Sequence, residues 1–487
     1  MFARVTSVAL VGVDPRPVQV EVHVTNGRSV FAIVGLPDTA VREAKERVRA
    51  AFGSSGLRFP AGRVVVNLSP ADLPKAGSAY DLPIALGLAA AIDRRHGPTT
   101  DVVALGELGL DGTLRPVRGG FGAALVGRRL GRRVLLPMEA AAEAGGLEGA
   151  EVFGTPTLRA ALDAANGWQV PEPPGAPDDL PQGPDLAEVR GQLAARRALE
   201  VAGAGGHHIL MSGPPGVGKT LLARCLPSLL PPLPSLELLE VALAWTAAGL
   251  PRLCRLDPPF RSPHHSATLP ALIGGGSGVP VPGEVTLAHR GVLFLDELGE
   301  FPTPLLDALR QPIEDGRVVV ARKGSTVTFP SEIQLVAATN PCPCGFHDDG
   351  EVPCVCASRA IDRYRARLSG PLLDRFDIRI RMNRVDHRLL SGPPGEPSGT
   401  IRTRVVAARK RQMARGGVNA KLERGAIDAL DWTDSAVRLL DAAAESNRLS
   451  PRGWDRVRRV AVTIADLGES AVITDGHVGE ALAYRVQ

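Results

Sequence analysis

Short runs rich in β-branched side chains recur over the first 168 residues, at 18–24, 30–34, 64–68, 102–105 and 134–136, and alternate with alanine-rich stretches of helical spacing. That alternation predicts an α/β domain. Further on, 187–204 has helical spacing, 208–212 is a short apolar strand, and a glycine-rich turn leads into a helix at Lys219. Strand, turn and helix then alternate to about residue 385, which predicts a largely parallel sheet with helices on both faces. Residues 400–487 read as mostly helical. Two breaks separate these stretches. Residues 169–189 hold six prolines and five acids with no lysine or arginine, the composition of a stiff, solvated linker, and 391–399 is a second Pro/Gly cluster. The expected division is 1–168, a linker at 169–189, 190–390 and 400–487.

The length of 487 residues is beyond what one hydrophobic core supports, in keeping with that division. Hydrophobic residues at 44% and charged residues at 22% exclude wholesale disorder. The longest apolar stretch, 82–92, is about half of what a bilayer needs, and the N-terminal residues lack the pattern of a signal peptide. Four of the six cysteines crowd between Cys342 and Cys356, which is no disulfide scaffold, so a reducing, cytoplasmic setting is expected. The net charge of +4 names no partner, but its distribution is uneven. Residues 400–424 carry eight basic residues and one acid, and 359–388 carry nine arginines against four aspartates. Such clusters could track a phosphate backbone, or be solvated helix faces and ion pairs.

Gly213, Pro214, Pro215, Gly216, Val217, Gly218, Lys219 and Thr220 form a P-loop between the strand HHILMS and the helix LLARCL. The glycines let consecutive backbone N–H groups turn inward around phosphates, and the helix N-terminus adds partial positive charge. Lys219 is placed to reach the β- and γ-phosphates of ATP, and Thr220 the Mg²⁺ ion. The strand VLFL then ends in Asp296 and Glu297. Asp296 would complete the Mg²⁺ shell, and Glu297 would orient and deprotonate the attacking water. A third strand, IQLVAAT, ends in Asn340, whose amide would position that water beside the γ-phosphate.

GPPGVGKT, VLFLDE and VAATNP, in this order and spacing, resemble AAA+ ATPases. The insert PFRSPHHSATLPALIGGGSGVPVPGEVTLAHRG and the segment SGPLLDRFD resemble the magnesium-chelatase and MCM branch, and residues 63–137 resemble the ribosomal-S5-like fold of the Lon protease domain. End to end, the chain resembles the magnesium chelatase-like ComM (YifB) family. The resemblance implies an S5-like N-terminal α/β domain, an AAA+ P-loop αβα domain and a C-terminal helical lid. It gives Asn340 the sensor 1 role, makes Arg375 an arginine finger reaching the neighbouring subunit's γ-phosphate, and makes Arg452 the sensor 2 arginine. A finger acting in trans implies a homo-oligomeric ring, with a hexamer the family expectation. The implied function is a DNA helicase promoting branch migration in homologous recombination and natural transformation. A magnesium-chelatase-type motor subunit and a protein-remodelling ATPase are the alternatives.

Residues 316–329 read as a β-hairpin whose tip carries Arg322 and Lys323. By the resemblance this hairpin points into the ring channel, where paired cations would grip DNA; a surface hairpin with solubilising charges is the plainer reading. The insert with His264, His265 and Gly274–Gly276 would form a second channel loop, again by resemblance. Cys342, Cys344, Cys354 and Cys356 could complete a structural Zn²⁺ site, although C-x-C pairs are less usual ligands than C-x₂-C, and a reduced or redox-sensitive cluster is the alternative. Lon-type proteolysis needs a serine nucleophile and a lysine base. Ser78 is out of step with that nucleophile motif, and GGFGAAL has no lysine, so a non-proteolytic role in oligomerisation, DNA engagement or partner docking is expected. Lys75, Arg115 and Arg118 are available there for phosphate contact.

Overall fold

In the computed structural model, the described residues are 1–73, 75, 77–93, 99–167, 183–250, 256–276, 280–322, 325–368, 370–390, 392–446 and 449–485. The N-terminal strands are β1 (Phe2–Val11), β2 (Asp14–Thr25), β3 (Val30–Val34), β4 (Arg63–Ser69), β5 (Val102–Ala104), the ribbon β6 (Glu107–Leu108) with β7 (Leu114–Arg115), β8 (Arg133–Leu136) and β9 (Val152–Gly154). Seven of them form one mixed sheet in the order β3-β4-β2-β1-β5-β8-β9. In β2, Val18, Val20, Val22 and Val24 are buried while the residues between them are not, the period-two pattern of a strand packed on one face. The buried face is covered by the helix Asp81–Ile92. Gly87 of that helix permits the contact, because a Cβ there would lie 2.8 Å from a Val22 methyl. Arg47 clamps the start of the same helix, donating to both oxygens of the fully buried Asp81 at 2.6 and 3.0 Å.

The second sheet is wholly parallel, as the alternating pattern predicts. Its strands are β10 (Ile209–Ser212), β11 (Phe260–Arg261), β14 (Val292–Leu295), β17 (Gln334–Thr339) and β18 (Ile378–Arg381), and their order is β11-β14-β17-β10-β18. Between them lie the ribbon β12 (Gly274–Gly275) with β13 (Val281–Pro282) and the hairpin β15 (Arg317–Arg322) with β16 (Ser325–Pro330). Alternate residues enter two different cores. Ile209, Met211, Val292, Phe294, Val336 and Ala338 face one, and Leu210, Leu293, Leu295, Leu335 and Ala337 the other. Burial on both faces explains why these strands read as continuous apolar runs.

Two boundaries differ from expectation. The helix anticipated over 187–204 runs from Leu193 to Gly205, because Gly191 and Gln192 both adopt left-handed backbone angles and interrupt it. Residues 169–182 of the expected linker, and Trp168 before it, lie outside the described residues. Its end, however, is packed: Leu186 and Val189 are buried in the core, and Asp185 caps a short turn while accepting from the Ser398 N–H at 3.0 Å. A sequence rich in proline and acid reads as solvated, but two apolar side chains are enough to dock its end.

The C-terminal helices Ser398–Ala414 and Pro451–Leu467 pack on the helix Leu193–Gly205 and share its core. This placement engages much of the basic stretch 400–424 within the chain. Arg404 pairs with Glu200 and Glu396, Arg415 with Asp466, Lys421 with Glu332 and Arg424 with Asp455, while Arg409 donates to the Gly203 carbonyl and Arg411 to that of Asp466. The N-terminal unit meets the rest through Ala242, buried with Val8 and Phe121, through Val13, packed against the core that holds Val327 and Phe329, and through Gly12, where a Cβ would lie 3.7 Å from the Phe329 ring of the hairpin. No helix among the described residues is long and apolar enough to cross a membrane.

Candidate nucleotide-binding and hydrolysis site

Strands β14, β17 and β10 are neighbours, so parallel pairing brings their C-terminal ends, and the residues that follow them, to one edge of the sheet. Ligands of open α/β sheets bind at that edge. The P-loop leaves β10 at Gly213, where any Cβ would lie 2.3 Å from the Met382 carbonyl. Gly216 and Gly218 have φ of 81° and 92°, angles that disfavour other residues and turn the backbone into the helix Lys219–Leu229.

Lys219 Nζ donates to the carbonyls of Gly213 at 2.6 Å and Pro214 at 2.8 Å and to Asn340 Oδ1 at 3.0 Å. Burial pushes this ammonium down to about 8 against the opposing pull of Asp296 and Glu297, and an anionic phosphate beside it would favour the charged form further. Thr220 Oγ1 donates to Asp296 Oδ2 at 2.8 Å, which places a hydroxyl and a carboxylate together as hard oxygen ligands suited to Mg²⁺. A cavity of ≈ 720 Å³ adjoins these groups, lined among others by Ser212, Gly213, Thr339, Asn340, Arg379 and Arg381.

Glu297 follows Asp296 with φ of 54°, a left-handed angle that a non-glycine residue rarely adopts. Its backbone N–H donates to Asp296 Oδ1 at 3.0 Å, and its carboxylate lies 3.5 Å from His265 Nδ1. No periodicity in the sequence links His265 to Glu297. Only the pairing of β11 with β14 brings the insert beside the acidic strand end.

Thus Lys219, Thr220, Asp296, Glu297 and Asn340 converge. Arg375 and Arg452 are not in that cluster. Arg375 is buried and its guanidinium bonds Glu314 of the same chain, whereas Arg452 is exposed in the first turn of the helix Pro451–Leu467. Of the hairpin tip, Arg322 ends β15 in register with Ser325, and Lys323 and the side chain of Arg322 lie outside the described residues. In the neighbouring arginine-rich stretch, Arg367 pairs with Glu300, Arg379 with Asp374 and Arg384 with Asp349, while Arg359, Arg363 and Arg365 are exposed.

The four thiols of Cys342, Cys344, Cys354 and Cys356 lie within 4.8 Å of one another, the closest pairs at 3.4, 3.5 and 3.7 Å. Four thiolates around one tetrahedral Zn²⁺ would sit about 3.8 Å apart, so this set fits such an ion. Within the pair Cys342 and Cys344 the sulfurs lie 3.4 Å apart, so the C-x-C spacing does not keep both thiols from one ion. Backbone N–H groups of Cys344 and His347 donate to Cys356 and Cys342 sulfurs, each at 3.3 Å, and N–H groups of Phe346 and Val355 pull the Cys344 thiol down to about 6. Gly345 turns this loop against the P-loop, for a Cβ there would lie 2.6 Å from Pro215. In the N-terminal unit, Ser78 Oγ bonds Glu107 and the buried Lys75 Nζ bonds the Pro70 carbonyl, so the two are engaged apart.

A family model described as magnesium chelatase, subunit ChlI, matches residues 185–390, and one for the C-terminal part of that subunit matches 395–485. A third, subunit ChlI of Mg-chelatase, matches 20–140. The chain is 42% identical over 488 residues to YifB of Salmonella typhimurium and 42% identical over 487 residues to YifB of Escherichia coli, covering 98% of this chain and 96% of the relative in each case. It is 40% identical over 502 residues to competence protein ComM of Haemophilus influenzae, covering 99% of this chain and 97% of the relative. Likeness of this extent, across the sheet, the strand-end cluster and the C-terminal helices alike, places the chain in the magnesium chelatase-like ComM/YifB family of AAA+ proteins.

Proposed function

We propose that this chain is a cytoplasmic, ring-forming AAA+ ATPase that translocates on DNA, as a helicase promoting branch migration during homologous recombination and natural transformation. The observation that carries the hydrolytic part is the convergence of Lys219, Thr220, Asp296, Glu297 and Asn340 at adjoining strand ends. Lys219 and the P-loop N–H groups bind the phosphates of ATP, and Thr220 and Asp296 hold Mg²⁺, which neutralises charge on the phosphates. Glu297 takes the proton of the attacking water, and Asn340 orients that water. Arg375 acts on the γ-phosphate of the neighbouring subunit in a hexamer, and Arg452 acts from the lid. The Cys342, Cys344, Cys354 and Cys356 set holds a structural Zn²⁺, leaving no open position for catalysis. In this reading 1–168 is a non-proteolytic S5-like domain, 190–390 the motor and 400–487 the lid.

The DNA part is supported by similarity over nearly the whole chain to a protein named for competence, and by a hairpin, β15–β16, whose tip sequence is cationic. The internal pairing of stretch 400–424 shifts weight from that region to the hairpin. A chelatase-type motor subunit is the second reading, favoured by the family-model descriptions. ATP turnover of the purified ring, with and without single-stranded and forked DNA, separates the two. Stimulation by DNA that disappears in Arg322→Ala/Lys323→Ala supports the translocase, and absence of both stimulation and salt-dependent DNA binding sinks it. Glu297→Gln is expected to bind ATP while losing about 10²-fold or more in turnover.

A further inference from the structure

We infer that the cavity behind the P-loop is a second phosphate site, held by Arg379 and Arg381 on the face of the sheet opposite the P-loop helix. The inference goes beyond the hydrolytic reading and does not depend on it. Side-chain alternation sets the two faces apart. Ile209, Met211, Ile378 and Ile380 share a core with Leu222 and Leu226 of the helix Lys219–Leu229. Leu210, Ser212, Arg379 and Arg381 take the alternate positions of the same two strands and line the cavity of ≈ 720 Å³. Lys219, Thr220, Asp296 and Glu297 are not among the described residues that line it. Register then builds a polar row across three strands: Ser212 of β10 is paired with Thr339 of β17 on one side and with Arg381 of β18 on the other, and Leu210 is paired with Arg379. Two positions apart on one strand face, the arginines have Cα atoms about 7 Å from each other. The helix Ser358–Arg367 contributes Arg365 to the same lining.

Both guanidinium groups are aimed by neutral acceptors. Arg379 Nη2 donates to the Leu373 carbonyl at 2.6 Å, and Arg381 Nη2 to the Asp348 carbonyl at 2.5 Å. A carbonyl orients a guanidinium without cancelling its charge. Arg379 lies 3.5 Å from Asp374, and its Nε is buried with no hydrogen-bond partner among the described residues. Burial pushes this guanidinium below its ordinary value against the pull of Asp374, and the charge of Arg456 adds to the shift. The acids on the cavity wall are engaged elsewhere, since Asp349 accepts from Arg384 at 3.1 Å and Asp348 lies 3.4 Å from His347. Fixed cations, a neighbouring hydroxyl and a buried donor without an acceptor suit an oxyanion with several oxygens. Phosphate offers four, at a charge that meets two guanidinium groups. The site is also tied to the nucleotide. Gly213, Pro214 and Asn340 border the cavity, and they are the three residues to which Lys219 donates. Two sources share this chemistry: free phosphate, such as ATP hydrolysis sets loose beside Asn340, and the phosphate group of a second nucleotide.

The test is calorimetric titration of the full-length Lys219→Ala protein, whose P-loop lacks its ammonium, with inorganic phosphate, AMP and ADP at constant ionic strength. Phosphate is expected to bind at one site per chain, and Arg379→Gln and Arg381→Gln, each added to Lys219→Ala, are expected to weaken it at least about tenfold. Arg381→Lys keeps the charge but not the planar fork and should lose less than Arg381→Gln. Arg359→Gln, which removes an exposed arginine outside the cavity, should leave affinity within about twofold. If Arg379→Gln fails to fold, the Arg381 pair of variants decides, because that side chain is exposed. Free phosphate binding more tightly than AMP and ADP supports the site with released phosphate as its ligand. AMP or ADP binding more tightly, with the same dependence on Arg381, supports it with a nucleotide phosphate as the ligand. No binding of any of the three in Lys219→Ala, binding indifferent to Arg379 and Arg381, or an equal loss in Arg359→Gln overturns the inference. Binding is read without turnover, so a protein that fails to hydrolyse ATP overturns the hydrolytic reading and leaves this outcome standing.

Discussion

Lys219 Nζ donates to Asn340 Oδ1 across 3.0 Å, joining the P-loop to the end of the central strand β17 although the two residues are 121 positions apart. The contact connects the group expected on the phosphates with the group expected on the water. Because the ammonium also holds two loop carbonyls, the P-loop is braced for nucleotide before one arrives.

Substitution of the two partners should separate their roles. Lys219→Ala is expected to weaken ATP binding, measured by titration with a fluorescent nucleotide. Asn340→Ala should leave binding within a few-fold and lower kcat by about 10- to 100-fold, the pattern of a group that acts mainly in the transition state. Equal losses of affinity in both variants would contradict the assignment.

Arg375 is bonded to Glu314 of its own chain, so a role across the subunit interface requires that bond to open. Arg375→Ala is expected to abolish turnover while sparing ATP binding. Mixing it with Lys219→Ala chains should restore part of the activity, because some interfaces then combine an intact P-loop with an intact finger. Wild-type turnover in Arg375→Ala rules the finger out. If Arg375→Ala and Glu314→Gln lower the thermal midpoint alike, and the mixture stays inactive, the arginine is structural.

The cysteine set makes a compositional prediction. Protein purified without chelators should contain one Zn²⁺ per chain by elemental analysis, and Cys344→Ser should lose it. Since Gly345 of this loop touches Pro215 of the P-loop, loss of the ion is expected to weaken ATP binding as well. A substoichiometric metal content rejects the Zn²⁺ site.

Acid should loosen the junction between the parallel sheet and the C-terminal helices. His208 accepts from the Leu335 N–H at 3.0 Å, and burial pushes its imidazole down to about 4, so the folded protein keeps it neutral. As pH falls from about 6.5 to about 4 the unfolded chain takes up a proton that the folded one does not, and stability drops by up to about 3 kcal/mol. The neighbouring Asp377 acts at lower pH. Although burial opposes its charge, His207 at 3.4 Å and Arg456 at 3.1 Å hold it well below the usual carboxylate range, so its contribution is lost only in stronger acid. Thermal midpoints from pH 7.5 to 4.5 should fall for the wild type and less steeply for His208→Gln; parallel curves would contradict this account.

Legibility in the sequence followed the range of the interactions. The P-loop, the apolar strands of the parallel sheet and the acids that end β14 depend on neighbours a few positions away, and all were readable from local pattern. The helix start at Leu193 was missed because a left-handed turn at Gly191 and Gln192 outweighed apolar spacing, and the packed end of the linker was missed because Leu186 and Val189 count for little against the prolines around them. Charge was the least readable property. Arg404 lies 204 residues from Glu200 and Lys421 lies 89 from Glu332, so a cationic run gave no sign that its partners were already within the chain. By itself, then, the sequence determined the phosphate-binding turn, the strand-end acids and the family to which they belong. Tertiary structure alone decided that Lys219 meets Asn340, that His265 faces Glu297 and that four thiols converge. Each of these depends on which strands pair and in what register, and that is settled by burial over the whole core rather than by any one segment.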